Sequence, residues 1–323
     1  MTRMIEVQRT GGPEVLALVD RELAAPGAGQ LRIRVAAAGV NFIDTYFRSG
    51  AYPRPVPFAL GQEGAGRVEA VGAGATGFAV GDRVAWAAAP GSYAEAVVAP
   101  AATVVHVPDG VDDDVAAAAL LQGMTAHYLV YAIRPPEPGA WALVHAAAGG
   151  TGLLLVQTAK RAGLRVVGTC GSAAKAELVE AVGADRVIRY DEVDFVAAAR
   201  DATGGRGVDV VFDGVGQATF DGSLACLRPR GLLAIFGQAS GAVPPFDLQR
   251  LNAGGSLVVT RPSLAHFVAT RAELEMRAGA VLGAIAAGAL HVRIGARFPL
   301  DRAADAHRAL EGRGTTGKVL LVP

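Results

Sequence analysis

Cysteine is nearly missing from this chain: only Cys170 and Cys226 are present, far apart in sequence. Two such residues fit no metal-ligand spacing and build no disulfide framework. They read as reduced thiols in or near a core, where free cysteine behaves as a small apolar residue. Lysine is almost as rare. Lys160, Lys175 and Lys318 are the full set, so arginine carries nearly all the positive charge. Alongside the heavy use of alanine, this reflects base bias in the gene more than a local role. The formal net charge is +0, which argues against a basic face for nucleic acid or an anionic membrane. Long apolar runs are also lacking. The most apolar segment, Trp141 to Val156, is interrupted by a glycine turn and is too short to span a bilayer. The opening Met1-Thr2-Arg3-Met4-Ile5-Glu6 has no signal-peptide core, so a cytoplasmic protein is expected. Internal repeats and low-complexity linkers are absent.

What is present is length, glycine and a change of pattern along the chain. At 323 residues there is room for two domains, each with its own core. The first third reads as short strands joined by turns. Leu31-Arg32-Ile33-Arg34-Val35 alternates apolar and polar residues, as a half-buried strand does. Gly66 to Val71 and Arg83 to Trp86 follow suit. From Val115 through Ala132 the chain is alanine-rich and proline-free, which predicts one or two helices.

A strand–helix alternation begins at Ala142. The expected strands are Ala142 to His145, Arg165 to Thr169, Arg186 to Tyr190, Val208 to Asp213 and Leu232 to Phe236. Helices are expected over Thr151 to Ala162 and Ala173 to Val182. Such alternation means βαβ units and a parallel sheet covered by helices on both faces. Glu273 to Ala287 then reads as a helix and Lys318 to Val322 as a terminal strand. The fold class is therefore α/β, with one domain inserted in another. Residues 1–123 and 262–323 form a β-rich unit, and residues 124–261 form a doubly wound nucleotide-binding domain.

Between the first strand and first helix of that inserted domain stands His145-Ala146-Ala147-Ala148-Gly149-Gly150-Thr151-Gly152. Glycines there let the backbone turn tightly against a pyrophosphate, and the helix N-terminus supplies free N–H groups. Ala147 replaces the first glycine of the usual six-residue fingerprint, but the strand–turn–helix context is the one the mechanism requires. The next strand ends Thr169-Cys170-Gly171-Ser172, without the acid that binds a ribose 2′-hydroxyl in NAD enzymes. Lys175 follows within one helical turn, and Tyr190 closes the neighbouring strand. A lysine cation with serine and tyrosine hydroxyls suits a 2′-phosphate, so NADPH is the expected cofactor. The bland alternative makes Lys175 a solvated helix residue and Tyr190 a strand-end aromatic. Val211 to Gly216 and Ile235-Phe236-Gly237-Gln238 each end a strand with glycine, where the nicotinamide half lies in such sheets.

Several stretches together resemble the quinone oxidoreductase (zeta-crystallin-like) branch of the medium-chain dehydrogenase/reductase superfamily. They are Gly39-Val40-Asn41-Phe42-Ile43-Asp44-Thr45-Tyr46, Arg48-Ser49-Gly50, Tyr52-Pro53, His145 to Gly152, Val259 to Leu264, and Gly317 to Val322. The run Gly61-Gln62-Glu63-Gly64-Ala65-Gly66 resembles the N-terminal signature of the superfamily, where a histidine usually stands in place of Gln62. Asn41 stands where a zinc-dependent member has a ligating cysteine. An amide is a poor ligand for Zn²⁺, which selects thiolate, imidazole and carboxylate; a zinc-free reductase with no metal ligands is implied. Two cysteines could not supply the structural-zinc loop of other members either.

The resemblance implies a GroES-like catalytic domain, a Rossmann domain, NADPH, and a homodimer paired through the edge strand at 255–260. Carried over position by position, Lys175 and Tyr190 hold the 2′-phosphate with Ser172 nearby. Gly149, Gly150, Thr151 and Gly152 form the phosphate turn. Asn41, Thr125, Phe236, Gly237, Arg261 and Arg313 line the cofactor cleft. Asn41 and Tyr46, with Tyr52 third, are the expected donors to charge developing on an acceptor oxygen; for both tyrosines the alternative is ordinary core packing. Gln62 reads as a structural amide, and the histidines at 106, 127, 145, 266, 291 and 307 form no constellation. The expected activity is NADPH:quinone reduction. Reduction of α,β-unsaturated aldehydes or ketones on the same scaffold is the alternative. A non-catalytic NADPH-binding or RNA-associated role is a third reading, which zero net charge weakens.

Overall fold

The computed structural model describes residues 1–323 and divides them into two compact units, Met1–Met124 with Val268–Pro323, and Thr125–Phe267. The first boundary falls one residue from the expected one. The second falls six residues later than expected, because 262–267 belong to the inserted unit, where the Phe267 ring stacks flat on Tyr128 at 4.4 Å.

The chain opens with strands β1 (Thr2–Val7), β2 (Leu16–Arg21) and β3 (Gln30–Val40), then a short helix α1 (Phe42–Ser49). Strands β4 (Phe58–Ala59), β5 (Glu63–Val71), β6 (Arg83–Trp86), β7 (Ala96–Pro100) and β8 (Val104–His106) follow, leading into α2 (Asp113–Tyr131). In β3 the alternation places Leu31, Ile33 and Val35 in the core and leaves Arg32 and Arg34 outside it. Helix α1 was not expected from apolar periodicity. Its signals are local: Asn41 at the N-cap, Asp44 three residues later reaching back to the Asn41 N–H (2.9 Å), and Gly50 at φ +84 closing the C-terminus. Helix α2 is one unbroken helix despite Gly123. That position needs glycine because a Cβ would lie 2.5 Å from Val281 of a later helix.

The inserted unit runs β9 (Trp141–Val144), α3 (Gly150–Arg161), β10 (Arg165–Cys170), α4 (Ala173–Ala181) and β11 (Arg186–Arg189). It continues through α5 (Phe195–Ala202), β12 (Val208–Asp213), α6 (Phe220–Cys226), β13 (Leu227–Ile235), α7 (Gln249–Ala253) and β14 (Val258–Thr260). Its sheet has the order β11-β10-β9-β12-β13-β14 and is parallel throughout. The strand order reverses direction beside β9, the switch point at which open α/β sheets bind ligands. Leu143, Val167, Val211 and Leu233, one from each central strand, are fully buried in its core.

The chain returns through α8 (Arg271–Ala286), β15 (Ile294–Pro299), α9 (Ala303–Glu311) and β16 (Lys318–Val322). Thr270 and Glu273 form a capping box that starts α8 two residues before the expected Glu273. In the first unit β15-β16-β3-β5-β6-β8 form one sheet, with β7 also paired to β3, while β2-β1-β4 form a second. Thus the starts of β5 and β16 and the end of β3 lie side by side, with Gly39 opposite both Glu63 and Leu320. No helix is long and apolar enough to cross a membrane.

Candidate cofactor and acceptor sites

In the inserted unit, β9 ends at Val144 and the turn 145–149 delivers the chain to α3. The N-cap of α3 is Gly149, which has no side chain to satisfy the first N–H groups of the helix. A Cβ on Gly152 would sit 2.4 Å from the Ala146 carbonyl oxygen, so the helix start is drawn tightly onto the turn. Unfilled N–H donors, a bare backbone and the positive end of a helix dipole fit a pyrophosphate.

The end of β10 supplies the next segment. Gly171 is glycine for a contact reason: a Cβ there would lie 2.6 Å from the Tyr190 hydroxyl and 2.8 Å from its ring. The Tyr190 ring, half exposed, therefore lies against the backbone between Cys170 and Ser172. Ser172 caps α4 by accepting from the Lys175 N–H at 3.4 Å, which leaves its hydroxyl proton to donate. Lys175 stands on that first turn, half-buried. Ser172, Lys175 and Tyr190 are thus gathered at one strand end, and no acid takes the place of Cys170. The neighbouring Asp191 and Glu192 are both paired with Arg189, at 2.8 and 2.6 Å.

The remaining expected residues of this unit occupy the other strand ends, except Thr125, which lies on α2. Phe236 lies over Gly214, where a Cβ would meet its ring at 2.9 Å, and a Cβ on Gly237 would lie 2.5 Å from the Gly214 carbonyl. Arg261 Nη1 donates to the Ile235 carbonyl at 3.2 Å. Thr125 is buried on α2.

In the first unit, the positions read as an emptied metal site hold a closed polar cluster. Lys318, 2% exposed, donates from Nζ to Glu63 Oε2 at 2.5 Å and to Asn41 Oδ1 at 2.8 Å; Glu63 is 0% exposed. Asn41 Oδ1 also accepts from Gln122 Nε2. Its amide nitrogen donates to Glu63 Oε2 at 3.0 Å and to the Gly39 carbonyl at 3.1 Å. Glu63 Oε1 accepts from the Leu121 N–H at 2.7 Å, so the cluster ties β3, β5, β16 and α2 together. Burial lowers the Lys318 pKa, opposed by the Glu63 carboxylate. Both amide protons of Asn41 are committed. The expected donation to an acceptor oxygen would have to displace one of these partners, while the Asn41 N–H, donating to Asp44, holds the start of α1. No group of three or more His, Cys, Asp or Glu side chains is gathered that could hold a metal.

Asp44, on the first turn of α1, opens a second chain. The Arg48 guanidinium can only donate, so His307 Nδ1 accepts from its Nη1 at 3.0 Å. The His307 proton must then lie on Nε2, donating to the Tyr93 hydroxyl at 3.2 Å, and Tyr93 donates to Asp44 Oδ2 at 2.8 Å. Glu311 anchors the outer end through both Arg48 Nη atoms, at 2.7 and 2.9 Å. Burial drives the Asp44 pKa up to about 7, even though Tyr93 and the Asn41 N–H both donate to it; Asp44 Oδ1 has no partner. Burial, aided by Arg48, pushes His307 down to about 3, so the imidazole is neutral.

Tyr46 and Tyr52 lie within this unit as a half-buried aromatic pair, with ring centroids 5.2 Å apart and Phe47 beside Tyr52 at 5.8 Å. Arg313 follows α9 with φ +58, exposed. Sequence reasoning missed Lys318, Gln122, Asp44, Tyr93 and His307. Of these, only Asp44 had a local signal, its capping-box spacing to Asn41. His145 and His307 sit apart from each other, each within its own buried side-chain chain.

Comparison with known proteins matches residues 27–109 to the alcohol dehydrogenase GroES-like domain and residues 150–275 to the zinc-binding dehydrogenase domain. A quinone oxidoreductase of Pseudomonas aeruginosa is 45% identical over 100% of both chains. A 2-haloacrylate reductase of a Burkholderia species is 41% identical over 98% of both. A mycobacterial structure solved in complex with NADPH is 52% identical, covering 99% of this chain and 100% of its own, with a TM-score of 0.97.

Proposed function

Because the chain belongs to the quinone oxidoreductase branch of the medium-chain dehydrogenase/reductase superfamily, we propose that it is an NADPH-dependent quinone reductase. The observation that carries this is the strand end where Ser172, Lys175 and Tyr190 gather without an acid, beside a helix whose N-terminus is bare. When bound, NADPH supplies the hydride or electrons. The first N–H groups of α3 hold the pyrophosphate, with Gly149, Gly150, Thr151 and Gly152 keeping its path clear. Lys175 gives the charge, and Tyr190 and Ser172 the hydroxyls, for the 2′-phosphate. Phe236, Gly237, Thr125 and Arg261 are assigned to the rest of the dinucleotide.

A quinone is already strongly electrophilic, so the protein's task is to place it and stabilise charge arising on oxygen. With the Asn41 protons committed, Tyr46 is the donor assigned to that oxygen, and Tyr52 holds its ring. Asn41, Glu63 and Lys318 position α1, which carries Tyr46. Arg313 keeps its assignment to the cofactor. We also infer a homodimer through β14, an edge strand whose Val258 is 52% exposed, and a cytoplasmic location, consistent with Cys170 and Cys226 being free and buried.

The test is oxidation of NADPH and of NADH by the purified, metal-free protein with 1,4-benzoquinone, 9,10-phenanthrenequinone or a 2-alkenal. Fast turnover with a quinone and NADPH is expected. The similarity to a 2-haloacrylate reductase favours a second reading, reduction of activated carbon–carbon double bonds; turnover with the alkenal alone would establish that instead.

A further inference from the structure

A buried chain of side chains runs beneath the three loops assigned to NADPH. Asp213, at the end of β12, is 0% exposed. Its Oδ1 accepts from the N–H groups of Val215 (2.7 Å) and Gly216 (3.0 Å). Its Oδ2 accepts from Thr219 Oγ1 (2.7 Å) and Ser223 Oγ (2.9 Å). Because the Ser223 proton goes to the carboxylate, Ser223 Oγ is the acceptor for His145 Nε2 at 3.1 Å. His145 Nδ1 is then the acceptor for the Thr169 hydroxyl at 2.9 Å. Burial lowers the His145 pKa, with Asp213 opposing, which agrees with the neutral ring this direction requires.

The residues that follow each member in sequence are the recognition segments. Thr169 precedes Cys170-Gly171-Ser172, His145 precedes the phosphate turn, and Asp213 fixes the loop 214–219 after β12. Residue 146, next to His145, is an alanine at φ +49. A non-glycine residue holds that left-handed conformation only where its surroundings determine it, and a histidine anchored through both ring nitrogens does so. The order Asp–Ser–His, with every member at most 2% exposed, gives no accessible nucleophile.

We propose that His145, Ser223 and Asp213 are positioning residues that set the phosphate turn, the 2′-phosphate strand end and the 214–219 loop in mutual register for dinucleotide binding. The proposal rests on the NADPH reading above. It requires that breaking the chain weaken NADH as well as NADPH, since the pyrophosphate and nicotinamide are common to both.

The experiment is titration of NADPH and NADH, without any acceptor, into the wild type and three variants, with melting temperatures recorded alongside. Ser223→Ala removes the central link with little change of shape. His145→Phe removes both ring nitrogens, and His145→Gln keeps one donor and one acceptor. Leaving one buried group unpaired predicts about a tenfold rise in both dissociation constants for Ser223→Ala and His145→Phe. His145→Gln should recover most of the affinity. If His145→Phe does not fold, Ser223→Ala alone decides. A lower melting temperature with unchanged affinities would reduce the chain to scaffold and overturn the proposal, as would a loss confined to NADPH. Wild-type protein binding neither nucleotide would instead remove the cofactor reading itself, and this proposal with it.

Discussion

Replacing Lys318 with methionine removes the ammonium from a pair in which neither side chain has meaningful contact with water, at 2% and 0% exposure. Methionine keeps most of the volume, so packing changes little and the effect is electrostatic. Glu63 retains the Leu121 N–H on Oε1 and the Asn41 amide on Oε2, but its charge is left buried without a cation. Stranding one partner of such a pair costs about 3–5 kcal/mol. For a unit the size of the first one, that lowers its melting transition by roughly 6–20 °C. Glu63→Gln should do comparable damage by stranding the ammonium. The combined variant, Lys318→Met with Glu63→Gln, leaves no unpaired charge and should lose far less than the two losses added together. Calorimetry on the four proteins gives the coupling directly. Because α1 hangs from this cluster through Asn41, turnover should fall in the single variants while NADPH affinity, set mainly by the strand ends of the other unit, holds. Additive losses, or a single-variant loss below about 1 kcal/mol, would refute the reading of a desolvated pair, since exposed pairs behave in that way.

Three further outcomes are expected. Asp44 titrates near 7 in the fold, against an ordinary carboxylate value near 4 in the unfolded chain, because burial disfavours its charge. The native state therefore holds a proton that the unfolded state has released, and Asp44 costs stability progressively as pH rises from about 4 to 7, then constantly above. Asp44→Asn should flatten that slope, so the stability difference between variant and wild type changes by up to about 4 kcal/mol across that window in denaturant titrations; parallel pH profiles would contradict the assignment. Lys175→Ala should weaken NADPH by about 10–100-fold, the worth of a charge-assisted contact, and spare NADH; equal losses would sink the 2′-phosphate role. Tyr46→Phe should lower quinone turnover on the order of 10–100-fold with NADPH affinity held; unchanged turnover returns Tyr46 to the packed pair with Tyr52.

The inserted domain was legible in the sequence for a physical reason. Parallel strands buried on both faces must be short apolar runs, and the turns that end them need glycine, so β9 to β13 announce themselves one after another. The nucleotide turn carries its whole signal within eight consecutive residues. Helix α1 is eight residues long, and only its ends, Asn41 with Asp44 and Gly50, betray it. The clusters are a different matter. Asn41 meets Glu63 across 22 positions, Gln122 across 81 and Lys318 across 277. Arg48 finds His307 259 residues away. No spacing rule spans such distances, because the three-dimensional pairing of β3 with β5 and β16 creates the contact. That an amide is a poor metal ligand says nothing of what Asn41 does hold. The partner of Asn41, the Lys318 ammonium, lies on the terminal strand and comes into view only once the sheet is assembled.

The two histidine chains show how a fold can use titratable groups as fixed mechanical links. In each, a donor stands at one end, arginine or threonine, and a buried carboxylate at the other, Asp44 or Asp213, with histidine in between. Burial lowers both imidazoles, so neither ring takes a second proton at neutral pH, and one tautomer satisfies every link. The carboxylates differ in how they meet the backbone. Asp213 gathers two backbone N–H groups and two hydroxyls, which use both of its oxygens. Asp44 has one oxygen without a partner, and its proton affinity rises to near neutral. The chain that holds α1, and with it Tyr46, carries a carboxyl group that titrates at about 7, so a pH dependence of turnover near that value should follow Asp44 and disappear in Asp44→Asn.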